Sequence, residues 1–192
     1  MKKQPEITAA TKKVFIDAFC ALYAAAPIEK ITVKEIAEKA GYNRTTFYLY
    51  FQDVYSLLTS LEDEAIACLT ASLEANLKQI DFAGSFIQSF SNLGEKTESR
   101  LEVLLGNPGS TKFAERAKAA MMPVLLQHFG IAESDEKAVF VLDFYLAGLI
   151  SVSGLWFRTG QTVPTGEMGR LIYKLLTEGV LSALGQNGQS AR

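Results

Sequence analysis

Apolar residues recur at three- and four-residue intervals along nearly the whole chain, and no segment alternates strictly between apolar and polar positions as a half-buried strand does. The pattern predicts an all-α protein. A first helix runs from Ile7 to Ala25, with Val14, Phe15, Ala18, Phe19 and Leu22 on its core side, and Pro27 ends it. Asp53 caps a long helix in which Val54, Leu57, Leu61, Ala65, Leu69 and Leu73 keep helical spacing. Further helices are predicted from Asp81 or Phe82 to about Ser91, and from about Ser99 to Leu105. Thr111 to Phe129 follows, with a kink at Pro123, and then Ser134 to Thr159 and Thr165 to Leu184, the last introduced by Pro164. The tail from Gly185 is polar and expected to fray.

Between the first helix and the long one lie two short helices joined by a tight turn. Thr32 is a good N-cap with Glu35 three residues on, so the two can form a reciprocal capping box. Val33, Ile36, Ala37 and Ala40 then share a face, and Gly41 stands where a helix end needs a residue tolerant of positive φ. Asn43 is a second N-cap. After it Phe47, Tyr50 and Phe51 form an apolar side, leaving Arg44, Thr45, Thr46 and Tyr48 on the other. Two such helices make a helix-turn-helix, whose second helix enters the DNA major groove. An ordinary αα-hairpin carries the same local signals.

Residues 8–57 resemble the N-terminal domain of the TetR family of bacterial transcriptional regulators. The likeness runs through Ile31-Thr32-Val33, Ile36-Ala37, Ala40-Gly41, Asn43, Thr46-Phe47-Tyr48, Tyr50-Phe51 and Leu57. The resemblance implies a three-helix DNA-binding domain over residues 1–52 and a helical ligand-binding and dimerisation domain over 53–188. It implies phosphate contacts from Thr32 and Tyr48, assisted by Lys34 or the N-terminal lysines. Base contacts from Arg44, Thr45 and Thr46 follow from their place in the exposed first turn of the second helix, and its cap Asn43 is expected to belong to the DNA-binding set with them. The chain departs from the family pattern at Asn43 (usually Ser or Thr), Thr45 (often Gly), Tyr50 (commonly His) and near Val54, where a phosphate-binding Lys is usual.

Charge sharpens this picture modestly. The net charge is −2, but it is unevenly spread. Residues 1–55 hold eight Lys and Arg against six Asp and Glu, whereas residues 56–192 hold eleven against fifteen. A small cationic head on an acidic body suits a DNA reader. The N-terminus has lysines but no apolar run after them, so no signal peptide is expected, and the protein is expected in the cytoplasm. Cys20 and Cys68 are far apart in helical segments and read as small core residues in a reducing compartment.

Ala138 to Phe157 holds twenty residues with one charge, long enough to span a bilayer. Asp143, Ser151, Ser153 and two glycines weigh against insertion. A helix apolar on all sides can instead be buried on one side in its own domain and on another against a second subunit. The run Leu146 to Ile150, with Trp156, Gly160, Pro164 and the final amphipathic helix, resembles family members in which the last two helices of each subunit form a four-helix bundle across a two-fold axis. The expected homodimer interface comprises Leu146, Gly148, Leu149, Val152, Gly154, Leu155, Leu171 and Leu175, with roughly 2,000 Å² or more buried.

Catalysis is not indicated. The single histidine, His128, has no Ser–acid set at triad spacing, and no Cys/His cluster has metal-ligand spacing, so neither a catalytic residue, a cofactor nor a metal is expected. Asp143 must either pair with a Lys or Arg or face a polar cavity, because a lone carboxylate in an apolar helix is costly. Phe86, Phe90, Met121, Met122, Asp143 and Tyr145 are the candidate walls of an effector site. No basic cluster lies in the body, which favours a small apolar or aromatic effector over a highly anionic one. The reading is thus a homodimeric regulator, preferably a repressor, that binds a double-stranded DNA operator and answers to a small molecule. The alternatives are a body that answers to a protein partner, or a helical enzyme or structural protein.

Overall fold

The computed structural model describes residues 5–78, 95–107 and 111–183, and all regular structure among them is helical. Eight α-helices follow in order: α1 (Pro5–Tyr23), α2 (Val33–Lys39), α3 (Arg44–Tyr48), α4 (Val54–Leu77), α5 (Glu95–Gly106), α6 (Thr111–Phe129), α7 (Glu136–Arg158) and α8 (Thr165–Ala183). A single 3₁₀ turn, Ile28–Lys30, precedes α2. The helix expected over 82–91 lies outside the described residues. The one expected over 99–105 starts earlier, at Glu95, and α1 stops at Tyr23 rather than Ala25. The chain divides into two compact units, residues 1–65 and 66–192.

In the first unit α1 packs on α2 and α2 on α3. Its centre is formed by Phe15, Phe19, Ile36, Phe47, Leu57 and Leu61, all without solvent exposure. α3 has five residues, far short of the length at which a helix is stable alone. Burial of Phe47 supplies what local propensity cannot.

In the second unit α5 and α6 pack on each other and on α7. The inner side of α7 is set by Leu142, Tyr145, Leu146, Leu149, Ser153, Trp156 and Phe157, all buried. The Trp156 indole N–H donates to the Val163 carbonyl at 2.7 Å, tying the end of α7 to the turn before α8. That turn carries positive φ at Gly160 and Gln161. By length and composition α7 could cross a membrane. Its outer side presents Phe140, Val141, Phe144 and Leu155, which are 72%, 67%, 77% and 55% exposed.

Candidate functional site

The helix-turn-helix is assembled by backbone groups and short side chains. Thr32 Oγ1 accepts the Glu35 N–H at 3.3 Å. Glu35 Oε2 in turn accepts the Thr32 N–H at 2.9 Å and its hydroxyl at 2.7 Å. This completes the capping box of α2. The Thr32 hydroxyl, then its backbone N–H, hold the Glu35 carboxyl below the usual range. At the other end the Tyr42 N–H reaches back to the Ala37 carbonyl at 2.9 Å across Gly41, whose φ is 72°. This closure satisfies carbonyls that the helix end would leave open, and a side chain at position 41 would strain it.

Asn43 then starts α3 from an extended conformation, φ −91° and ψ 164°. Its carboxamide oxygen accepts the Thr46 N–H at 2.8 Å and the Thr46 hydroxyl at 3.0 Å. The inner side of α3 is fixed by aromatic contacts. The Phe15 ring meets Phe47 edge to face with centroids 5.4 Å apart, and lies 5.3 Å from the ring of Tyr42. Phe51 packs on Phe47 at 5.5 Å. The outer side therefore presents Arg44, Thr45 and Tyr48, joined by Leu49 at the helix end, which is 62% exposed and which sequence reasoning did not single out. Thr46 is half-buried, and its hydroxyl is already engaged by Asn43. Arg44 has no side-chain partner among the described residues, so its five N–H donors remain open. Thr32 and Lys34 are exposed on α2, with Lys34 3.8 Å from Glu38.

The expected body sites are placed less uniformly. Phe86 and Phe90 lie outside the described residues. Met121 and Met122 are half-buried on α6. Tyr145 is buried, and burial pushes its phenol up. Asp143 pairs with Lys118 of α6 at 3.0 Å, and Glu115 stands 3.5 Å from the same ammonium. That pairing, Asp143 foremost, raises the Lys118 ammonium above its ordinary value. Beside it is a groove of about 310 Å³ between α5, α6 and α7, into which Lys118, Arg158, Thr111, Ser151, Ala114 and Ile150 open. None of Met121, Met122, Asp143 or Tyr145 lines it.

Of the expected interface residues, Gly148, Leu155 and Leu171 are exposed, and Val152 and Leu175 are half-buried. Leu146, Leu149 and Gly154 are buried within the chain itself. A Cβ at Gly154 would sit 3.1 Å from the Leu105 carbonyl oxygen, a close approach of α7 to α5. The large apolar side chains that α7 exposes are Phe140, Val141, Phe144 and Leu155, of which only Leu155 was among the expected interface residues.

Residues 7–61 match the family of bacterial regulatory proteins named for TetR. A relative from Haemophilus influenzae, an uncharacterized helix-turn-helix-type transcriptional regulator, is 30% identical over 136 residues, which is 68% of this chain. The chain spans 63% of that relative's length. Among solved structures, the fatty acid degradation regulator FadR of Bacillus halodurans superposes with a TM-score of 0.68 at 17% identity, over 94% of this chain and 98% of that one. FadR of Bacillus subtilis, solved with stearoyl-CoA, gives 0.64 at 20% identity over 88% and 98%. With its capped α2 and α3 set on the aromatic core that the matched segment encloses, the N-terminal domain of this chain is that of the TetR family of bacterial regulatory proteins.

Proposed function

We propose that the protein is a cytoplasmic transcriptional regulator, a repressor, that binds a double-stranded DNA operator as a homodimer and answers to a small-molecule effector held in its helical body. The observation that carries this reading is the outer side of α3. Arg44, Thr45 and Tyr48 project from a helix that is capped by Asn43 and anchored by Phe47, and all three are exposed. Residues 1–52 are the reading head and residues 53–188 the body that pairs and controls it. Arg44 and Thr45 meet base edges, while Thr32, Lys34 and Tyr48 meet phosphates.

The pairing surface is the outer side of α7 with Leu171 of α8, where a run of exposed apolar side chains is larger than isolated surface residues require. Two heads match successive major grooves only at a separation of about 34–36 Å or a near multiple. An effector that favours another separation lowers operator affinity. The Bacillus subtilis neighbour's stearoyl-CoA supports an effector with an apolar part. Selection of bound fragments from random duplex DNA, followed by fluorescence anisotropy, tests the reading. A recovered two-fold symmetric site, bound by two chains, is expected. Binding that is absent or indifferent to sequence at physiological salt overturns it.

A further inference from the structure

The groove between α5, α6 and α7 contains a cation that forms no ion pair among the described residues. Lys118, on one wall, is committed: it lies 3.0 Å from Asp143 and 3.5 Å from Glu115. Arg158, at the end of α7, is not. Its only described contact is one long bond from Nη1 to the Leu105 carbonyl, at 3.4 Å. Most of the guanidinium's five donors are left for other acceptors. Gly154 makes this posture possible. A Cβ there would stand 3.2 Å from Arg158 Nη1 and 3.1 Å from Leu105 O, so any side chain would press on the guanidinium where it crosses α7. The bare backbone at position 154 thus cradles the Arg158 head at the groove.

Around that head the lining is mixed. Ala114 and Ile150 supply apolar wall, and the hydroxyls of Thr111 and Ser151 stand among them. The geometry points to a binding site for a small monocarboxylate, its carboxylate forked on Arg158 and its apolar part against Ala114 and Ile150. One uncommitted guanidinium suits a monoanion, and its planar fork matches the two oxygens of a carboxylate. A volume of about 310 Å³ is at the small end for ligand sites, room for a single ring or short chain. That a ligand here reports to DNA rests on the regulator reading above; the binding itself does not. Ala147 and Ser151 border the groove and also lie on the exposed side of α7, so a ligand would touch the surface proposed for pairing.

The test uses the full chain and calorimetric titration with benzoate, benzamide and inorganic phosphate. Benzoate should bind at one site per chain, with benzamide and phosphate each at least tenfold weaker. R158K should weaken benzoate about tenfold by losing the fork, and R158Q should abolish measurable binding. A114L, which fills the opposite wall and leaves Arg158 in place, should abolish it too. Circular dichroism checks that each variant is folded; exposed Arg158 makes its variants tolerable. Equal binding of benzamide, tighter binding of phosphate, or unchanged binding in R158Q overturns the site. Failure to bind any DNA overturns the regulator reading alone, because the benzoate titration is read without DNA.

Discussion

The Asn43 carboxamide oxygen holds Thr46 twice, by the backbone N–H at 2.8 Å and by the hydroxyl at 3.0 Å. One side chain thereby caps the five-residue α3 and engages the Thr46 hydroxyl within the protein. Replacing Asn43 with Ala should lower unfolding free energy by about 0.5–2 kcal/mol, while Ser should retain nearly all of it. Thermal denaturation of the two variants measures this. T46V should disturb sequence preference less than T45A in a binding selection, because the Thr46 hydroxyl is not free to read a base.

Arg44 and Tyr48 should separate by the kind of DNA contact they lose. R44A should relax preference at one base position, worth about 1–3 kcal/mol if the guanidinium forks on a guanine. Y48F should weaken every duplex alike and leave the preferred sequence unchanged. Anisotropy against a panel of single-base operator variants distinguishes the two. Equal losses at all positions for R44A would show that Arg44 contacts backbone only.

Acid should break the α2 capping box only below the ordinary carboxylate range. Thr32 lowers the Glu35 carboxyl in the folded protein. A depressed carboxyl contributes stability above its unfolded value, about 4.3, and loses it as pH falls through the lower folded value. In T32V the Glu35 titration, followed by carbon-detected NMR, should move up toward the ordinary range. No movement would mean that the Thr32 bonds do not hold the carboxylate in solution.

The exposed side of α7 should govern assembly. F144D places a charge where the side chain is 77% exposed, so it should leave the subunit folded. Sedimentation equilibrium should show wild-type dimers and F144D monomers at micromolar concentration. Operator affinity should fall with the loss of the second head. L146D should instead unfold the second unit, since Leu146 is buried within it. Folded L146D monomers would return Leu146 to the interface.

The head was readable because its determinants are local. Thr32 and Glu35, the Tyr42-to-Ala37 closure over Gly41, and Asn43 and Thr46 act across at most five residues, so their spacing alone predicts the bonds that form. α7 was harder for a physical reason. A helix apolar on every side has no polar stripe to indicate which side turns inward, so neither the burial of Leu146, Leu149 and Gly154 nor the exposure of Phe140 and Phe144 is legible in the sequence. The partner of Asp143 lies on another helix, at Lys118, and only tertiary packing brings it near. The same holds for Arg158, which in sequence is merely a basic residue ending a helix. Its meeting with Leu105 spans more than fifty positions and leaves no local trace.

The edge-to-face contact of Phe15 with Phe47 has an evolutionary consequence. α3 is held from behind, by a ring with no solvent exposure, while Arg44 and Thr45 face outward. Position 44 or 45 can therefore change without endangering the fold, and the chemistry that α3 turns outward can vary through single substitutions. Positions 15 and 47 have no such freedom: losing either large aromatic typically costs about 3–5 kcal/mol, comparable with much of a small domain's stability. The architecture thus divides the head into residues that lineages can vary and residues that they must keep.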